Sequence, residues 1–398
     1  PRHRALISRG DMPKFFAAND GLQFAMVAGE ASGDLLASLL LQGARQRWPH
    51  LQARGIGGAQ MEAQGFVAQW PSEALAVHGY SFEVLRRVAG IWQIRNELRQ
   101  QLLARKPDLF VGVDAPDFNL GLEEDLRSAG VRTVHFVCPS IWAWRPERVH
   151  KIRRAADHVL CIFPFEPDLL ARHGISSTYV GHPLANTLPM EPDQAGARRA
   201  LGLPEQGEVL ALLPGSRGSE IQYLAPRFLD AAKLLQKQRP GLQCVLPAVP
   251  AQYQRVRQLV REQGMEGQLQ VVKGQSHAVL AACDVTLIAS GTATLEAALF
   301  KRPMVISYAM HPVSALLMRR KQLQPWVGLP NILCRDFVVP ELLQDQATPR
   351  ALAAAVSDWL DQPARAAAVR ARFTELHHVL QRDTARLATD AIAQVLSR

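Results

Sequence analysis

The stretch Val209–Glu220, VLALLPGSRGSE, decides the fold. Five apolar residues, Val209 to Leu213, bounded by turn residues, have the pattern of a strand buried on both faces of a parallel sheet. Pro214-Gly215-Ser216-Arg217-Gly218 ends that strand in a loop open to close backbone approach. Ser219 and Glu220 then open a helix that continues through Phe228 and Leu235. Strand, glycine-rich loop and helix start together present unpaired N–H groups at the positive end of a helix dipole, which is an anion site. Arg217 adds a cation whose planar fork grips two phosphate oxygens. An ordinary βα turn with a surface arginine fits the same residues, because the spacing is neither a Walker loop nor G-x-G-x-x-G.

Working outward, the pattern repeats. Gln243–Pro247, Leu269–Val272, Val285–Ile288 and Met304–Ser307 are further strands separated by helical stretches, which predicts a doubly wound parallel sheet. The strand at Val285 runs into Ala289-Ser290-Gly291-Thr292-Ala293-Thr294-Leu295-Glu296. Ser290, Gly291, Thr292 and Thr294 suit a phosphate or ribose lining, and Glu296 one turn into the helix can take two ribose hydroxyls. A capped helix is the alternative for this turn alone. Val327-Gly328-Leu329-Pro330-Asn331-Ile332 is an extended loop from which Asn331 can enter a ligand crevice.

The N-terminal part is organised in the same way. Phe24–Ala28 is a strand, Gly29-Glu30-Ala31-Ser32-Gly33-Asp34 a loop and Leu35–Trp48 a helix. Ser32 or Asp34 can cap that helix, and a loop with two carboxylates suits sugar hydroxyls better than phosphate. Leu109–Val113 is a buried strand ending in Asp114-Ala115-Pro116-Asp117. Ligands of open α/β sheets sit beyond the carboxyl ends of the strands, so Asp114 stands where chemistry happens, unless it only caps the next turn. Strand Thr133–Val137 leads into Cys138-Pro139-Ser140-Ile141-Trp142-Ala143-Trp144-Arg145, whose tryptophans suit either a packed wall or an acyl or sugar platform. Strands Val159–Ile162 and Thr178–Val180 finish this domain at Gly181-His182-Pro183, with His182 a linker residue. Residues 186 to about 206 read as linker plus a short helix.

At 398 residues, two domains are expected, and 48% hydrophobic with 20% charged residues describes an ordinary globular chain. The net charge of +9 invites an anionic partner. No helix-turn-helix or RNA-module signature is present, so nucleic acid is the weakest candidate beside anionic lipid and a phosphorylated substrate. The five cysteines are scattered, mostly in apolar runs, and read as small buried side chains in a reducing compartment. No stretch approaches the ~18 apolar residues of a membrane span. Residues 1–20 lack a signal peptide's apolar core and read as a poorly ordered extension. Phe82–Lys106 is helical, with Val84, Val88, Ile91, Leu98 and Leu102 among five arginines. It either covers the sheet or rests on anionic lipid as a basic amphipathic surface. The stretch MHPVSALLMRRKQLQPW (310–326) offers the same two readings.

Two doubly wound domains facing a cleft, one with phosphate and ribose features and one with carboxylates at strand ends, suit transfer of a group from a nucleotide donor to a hydroxyl. Asp114 is placed to act as general base, and Arg217 with the helix N-termini can neutralise a leaving diphosphate. No D-x-D pair calls for a divalent cation, and no covalent nucleophile is visible, so direct displacement with inversion follows. No cofactor is implied.

Seven blocks in order, VAGEASGD, VGVDAPDFN, CPSIWAWR, VGHPLA, LLPGSRGSEI, SGTATLEAAL and VGLPNIL, closely resemble the lipid-A-disaccharide synthase family over residues 22 to 390. The resemblance implies an α/β GT-B fold of two Rossmann-like domains: 21–187 for the acceptor, 188–375 for the UDP-sugar, and 376–398 as a helix crossing back to the first. It implies the condensation of UDP-2,3-diacylglucosamine with 2,3-diacylglucosamine 1-phosphate to a β-1,6-linked disaccharide 1-phosphate and UDP. Asp114 looks like the essential acid, with Asp117 its rival for the proton and Glu30, Ser32, Gly33 and Asp34 on the acceptor side. Gly215, Ser216, Arg217, Gly218 and Glu220 look like the diphosphate site. Glu296 would contact the ribose beside Ser290, Gly291, Thr292 and Thr294, and Asn331 would be another donor contact. Peripheral association with the cytoplasmic face of the inner membrane is implied, a homodimer is compatible with it, and nucleic acid is not a partner. Tyr80-Ser81-Phe82 carries an extra residue relative to the family. The nearest rival is a UDP-N-acetylglucosamine epimerase or another UDP-sugar enzyme on the same fold; a catalytically silent UDP-sugar or anionic-lipid binder is a rival of a different class.

Overall fold

The computed structural model describes residues 21–76 and 82–398; the expected N-terminal extension and the inserted residue at Tyr80-Ser81 lie outside them. The chain forms two compact units. One runs to Pro183 and takes back Leu380–Arg398; the other is Leu184–Val379.

The first unit is built on seven parallel strands: β1 (Gln23–Ala28), β2 (Gln52–Gly57), β3 (Val67–Pro71), β4 (Leu109–Val113), β5 (Arg132–Phe136), β6 (His158–Cys161) and β7 (Ser177–Tyr179), in the order β3-β2-β1-β4-β5-β6-β7. Phe24 to Ala28 of β1 are all buried, as is every residue of β4, because helices cover both faces of the sheet. The helix Ala31–Arg47 buries Leu36, Ala37, Leu40, Leu41 and Ala44. The C-terminal helix Thr384–Leu396 crosses it almost backbone to backbone: a Cβ on Gly43 would lie 2.4 Å from Thr389 Oγ1 and 2.6 Å from Ala385 O. The returning segment is fixed where His182 N–H donates to Leu380 O and the Thr384 hydroxyl donates to Val180 O. The C-terminal helix therefore belongs to the N-terminal unit, as the resemblance implied.

The second unit carries β8 (Val209–Leu213), β9 (Gln243–Ala248), β10 (Gln270–Lys273), β11 (Val285–Ala289), β12 (Met304–Tyr308) and β13 (Glu341–Leu343), in the order β10-β9-β8-β11-β12-β13, again all parallel. The stretch read as linker plus a short helix does carry one. Helix Gln194–Ala200 is seated on this unit by Arg198, which is buried and donates to Ala282 O, Glu205 O, Gly207 O and the Asp284 carboxylate.

Candidate functional site

In the second unit, two loops lie side by side at the carboxyl edge of the sheet because Leu213 of β8 registers with Ile288 of β11. After β8, Ser216, Arg217 and Gly218 are exposed, and helix Gly218–Gln238 follows. Gly215 takes φ +118°, in the region that glycine alone enters cheaply. Glu220 accepts the N–H of Arg217 at 3.3 Å, so its carboxylate shapes the loop. No carboxylate pairs with the Arg217 guanidinium among the described residues, which leaves its cation facing solvent at the helix start.

After β11, Ser290 N–H donates to Ser307 O, and Gly291 precedes helix Thr292–Leu299. Gly291 and Thr292 are exposed. Thr294 is buried and its hydroxyl donates to Gly291 O at 2.7 Å, so this side chain closes the turn. Glu296 is half-buried and pairs with His277, a neighbour that sequence reading did not single out because it comes from the helix Ser276–Ala282. Tyr308, at the end of β12, was also missed. Burial pushes its phenol up, Glu220 adds to this and Arg217 opposes it, which puts the ring in the field of the β8 loop. Asn331 is fully buried: its amide donates to Val339 O and Glu341 Oε2 and accepts from Val339 N–H. Glu341 in turn accepts the N–H groups of Val327 and Gly328. Asn331 thus stands buried in the helix Leu329–Cys334 and not on the extended loop expected there, so any part it has in donor binding runs through the backbone it holds.

The first unit repeats the arrangement, since Ala28 of β1 registers with Val113 of β4. The helix starts at Ala31, four residues before the expected Leu35, so Glu30 is exposed at its N-cap, Ser32 is exposed in its first turn, and Gly33 packs on the strand ends, where a Cβ would lie 3.6 Å from Ala28 Cβ and Val113 Cγ1. Asp34 does cap a helix, but a different one from the helix it stands in. Its buried carboxylate accepts the N–H groups of Gly58, Gln60 and Met61 at the start of helix Ala59–Ala63.

After β4 the backbone turns sharply, with Asp114 at φ 54° and Ala115 at φ 42°. The N–H of Asp114 donates to Phe136 O, and Asn119, buried in helix Pro116–Ser128, donates to Asp114 O at 2.9 Å. Burial raises the Asp114 carboxyl above the usual carboxylate range; His135 and the Ala115 backbone pull it back. Asp117 is exposed and paired with Arg148. A half-buried carboxyl with a raised proton affinity suits a general base for a hydroxyl, and Asp114 is such a carboxyl.

The two tryptophans of CPSIWAWR differ in burial. Trp142 is buried, donates to Glu166 Oε2 and packs edge-on against Phe163 and Phe165. Trp144 is exposed with Arg145 over its ring.

The family model for lipid-A-disaccharide synthetase matches residues 24–395. The chain belongs to that family. A lipid-A-disaccharide synthase from Verminephrobacter eiseniae is 63% identical over 380 residues, covering 94% of this chain and 98% of the relative. One from Albidiferax ferrireducens is 64% identical over 379 residues, covering 94% and 97%. Among solved structures, HepE of Anabaena in complex with UDP and glucose superposes with a TM-score of 0.55 at 16% identity, covering 94% of this chain and 99% of that one. At that identity the likeness speaks for the fold, which is GT-B. The family drawn from the seven sequence blocks and the two-domain α/β fold are thus borne out, and this is a UDP-sugar glycosyltransferase family. The epimerase alternative is not favoured, because the relatives of high identity are named synthases.

No described helix is long and apolar enough to cross a membrane. Two surfaces nevertheless expose large apolar side chains among cations. Helix Pro312–Lys321 buries none of its residues and exposes Val313, Leu316, Leu317 and Met318 before Arg319, Arg320 and Lys321. Helix Phe82–Ala104 covers the sheet with its second half only: Leu98 and Leu102 are fully buried in the core, whereas Leu85, Val88 and Trp92 are exposed beside Arg86 and Arg87.

Proposed function

We propose that this chain condenses UDP-2,3-diacylglucosamine with 2,3-diacylglucosamine 1-phosphate to the β-1,6-linked disaccharide 1-phosphate and UDP. The observation that carries this reading is Asp114, a half-buried carboxyl held at the carboxyl edge of its sheet by a left-handed turn. The acceptor's 6-hydroxyl oxygen attacks C1 of the donor sugar as its proton passes to the Asp114 carboxylate. The bond from C1 to the diphosphate oxygen breaks, and UDP leaves with that electron pair. Attack opposite the leaving group inverts the anomeric centre.

The negative charge that develops on the leaving diphosphate is met by Arg217 and the N–H groups of the Gly215–Gly218 loop. Ser290, Gly291 and Thr292 line the neighbouring loop, and Glu296 takes the ribose. Glu30 and Ser32 are the exposed acceptor-side groups. Both substrates carry acyl chains in the membrane, and the apolar, basic helices Pro312–Lys321 and Phe82–Ala104 suit peripheral contact with an anionic lipid surface.

The test is UDP release from the diacyl donor in detergent, with and without the acceptor, for wild type and Asp114→Asn. Release that needs both lipids and is lost in the variant is expected. Release without acceptor would instead indicate hydrolysis or epimerase-like chemistry.

A further inference from the structure

Directly behind the Asp114 turn lies a polar cluster that the transfer step leaves unused. Glu123 on helix Pro116–Ser128 and His135 on β5 are both 0% exposed. His135 Nδ1 lies 2.8 Å from Glu123 Oε1 and 3.1 Å from Oε2. Their space is made by Gly112 of β4, where a Cβ would come within 2.6 Å of Glu123 Oε1. Strand register sets Gly112 opposite His135, two residues before Asp114. The residue after His135, Phe136, supplies the carbonyl that anchors the Asp114 N–H.

His135 Nε2 is buried without a hydrogen-bond partner among the described residues, as is Asn119 Oδ1. Burying an incompletely satisfied ionisable pair in a core is costly, and apolar side chains of the same volume would do as well or better for stability. Both strands also leave the sheet here in left-handed backbone, at Asp114, Ala115 and Val137. Such conformations persist only where the surroundings over-determine them, and they gather at functional sites.

We propose that Glu123 and His135 form a positioning pair behind Asp114: Glu123 keeps a proton on His135, and the imidazolium keeps Asp114 ionised and ready to accept the acceptor's proton. The inference rests on Asp114 being the base.

The electrostatics of the cluster agree with its geometry. Burial opposes charge on His135, but the Glu123 carboxylate, then Asp114 and the Val137 backbone, outweigh it and raise its proton affinity. Burial also raises Glu123, against the pull of His135, and Asp114 adds to the attraction that holds a proton on the imidazole. The groups that act on Asp114 are His135 from β5 and the Ala115 backbone; those that act on His135 are Glu123 from the helix, Asp114 from the end of β4 and the Val137 backbone.

The experiment measures kcat/KM for UDP release against pH in wild type, Glu123→Gln, His135→Gln and Asp114→Asn, with circular dichroism to confirm folding. Glu123→Gln still accepts the Nδ1–H, so the ring keeps its place while its charge is lost. The acid limb of Glu123→Gln and of His135→Gln should move to higher pH, with the donor KM and the high-pH plateau retained. An unmoved acid limb in folded Glu123→Gln overturns the positioning pair and leaves Asp114 as the base. Activity surviving in Asp114→Asn overturns the base assignment itself. Should the variants fail to fold, nitrogen-15 NMR of His135 in the wild type decides: an imidazolium at neutral pH is expected, and a neutral ring overturns the inference.

Discussion

Gly215 and Glu220 meet across the turn after β8 so closely that a Cβ on Gly215 would lie 2.7 Å from Glu220 Cβ. The same glutamate accepts the Arg217 N–H, so glycine, loop and helix start form one rigid unit. Gly215→Ala adds a clash and strains a backbone at φ +118°, at a cost of about 1–3 kcal/mol. The fold should survive and UDP affinity should fall, as titration calorimetry would show. Unchanged affinity would mean that the loop does not need this conformation to bind.

Arg217 is the exposed cation of that loop. Arg217→Ala should weaken UDP binding by roughly 1.5–3 kcal/mol, the range of a charge-assisted contact, with less dependence of affinity on salt than in the wild type. Wild-type affinity in the variant would remove Arg217 from the diphosphate site.

Asp34 separates a structural from a functional carboxylate. It accepts three backbone N–H groups at the start of helix Ala59–Ala63. Asp34→Ala should therefore lower stability by about 1–3 kcal/mol, read as a fall in the urea midpoint, with little change in the acceptor KM of the folded enzyme. A raised KM at unchanged stability would make it an acceptor contact instead.

What could be read without coordinates followed from burial. β1, β4, β8 and β11 are apolar but for Gln23 and Thr286 because both faces are covered, and their ends gave both loop pairs. β2, reading QARGIG, β3, reading VAQWP, and β13, reading ELL, were missed: Gln52, Arg54 and two glycines break the apolar run of β2, and β3 and β13 are short strands at sheet edges where one side needs no apolar partner. Asp34 could be recognised as a cap, but its helix begins 25 residues away, and local spacing cannot show that. Glu123 and His135 left the faintest trace, one histidine between Val134 and Phe136 in a buried strand. Their pairing depends on the register of β4 with β5 and on the absent side chain of Gly112.

Two further histidines set the acid stability of the first unit. His158 lies between the hydroxyls of Ser176 and Thr178, and burial takes its proton affinity down to about 4. Burial does the same to His182, also to about 4. Both are neutral when folded, whereas in the unfolded chain they titrate near 6.5. At these two sites the unfolded state thus binds more protons below that pH, and their contribution to stability should fall as pH drops from about 6.5 toward 4. Urea midpoints across this window test it. His158→Gln, which can bond to both hydroxyls without titrating, should flatten the curve.

Helix Pro312–Lys321 supplies the most direct test of membrane contact, because none of its residues is buried in the fold. Leu316 and Leu317 are each 52% exposed, so replacing them costs the core little. Burying a leucine in an apolar phase is worth about 1.5–3 kcal/mol, and two of them next to Arg319, Arg320 and Lys321 combine apolar and electrostatic attraction to an anionic surface. Leu316→Glu with Leu317→Glu should sharply reduce co-sedimentation with anionic liposomes while melting temperature and UDP affinity stay at wild-type values. Raised salt should weaken the wild-type association as well, since the cations carry part of it. Undiminished sedimentation of the double variant would place the lipid-facing surface elsewhere, with the exposed half of helix Phe82–Ala104 the next to test through Leu85→Glu.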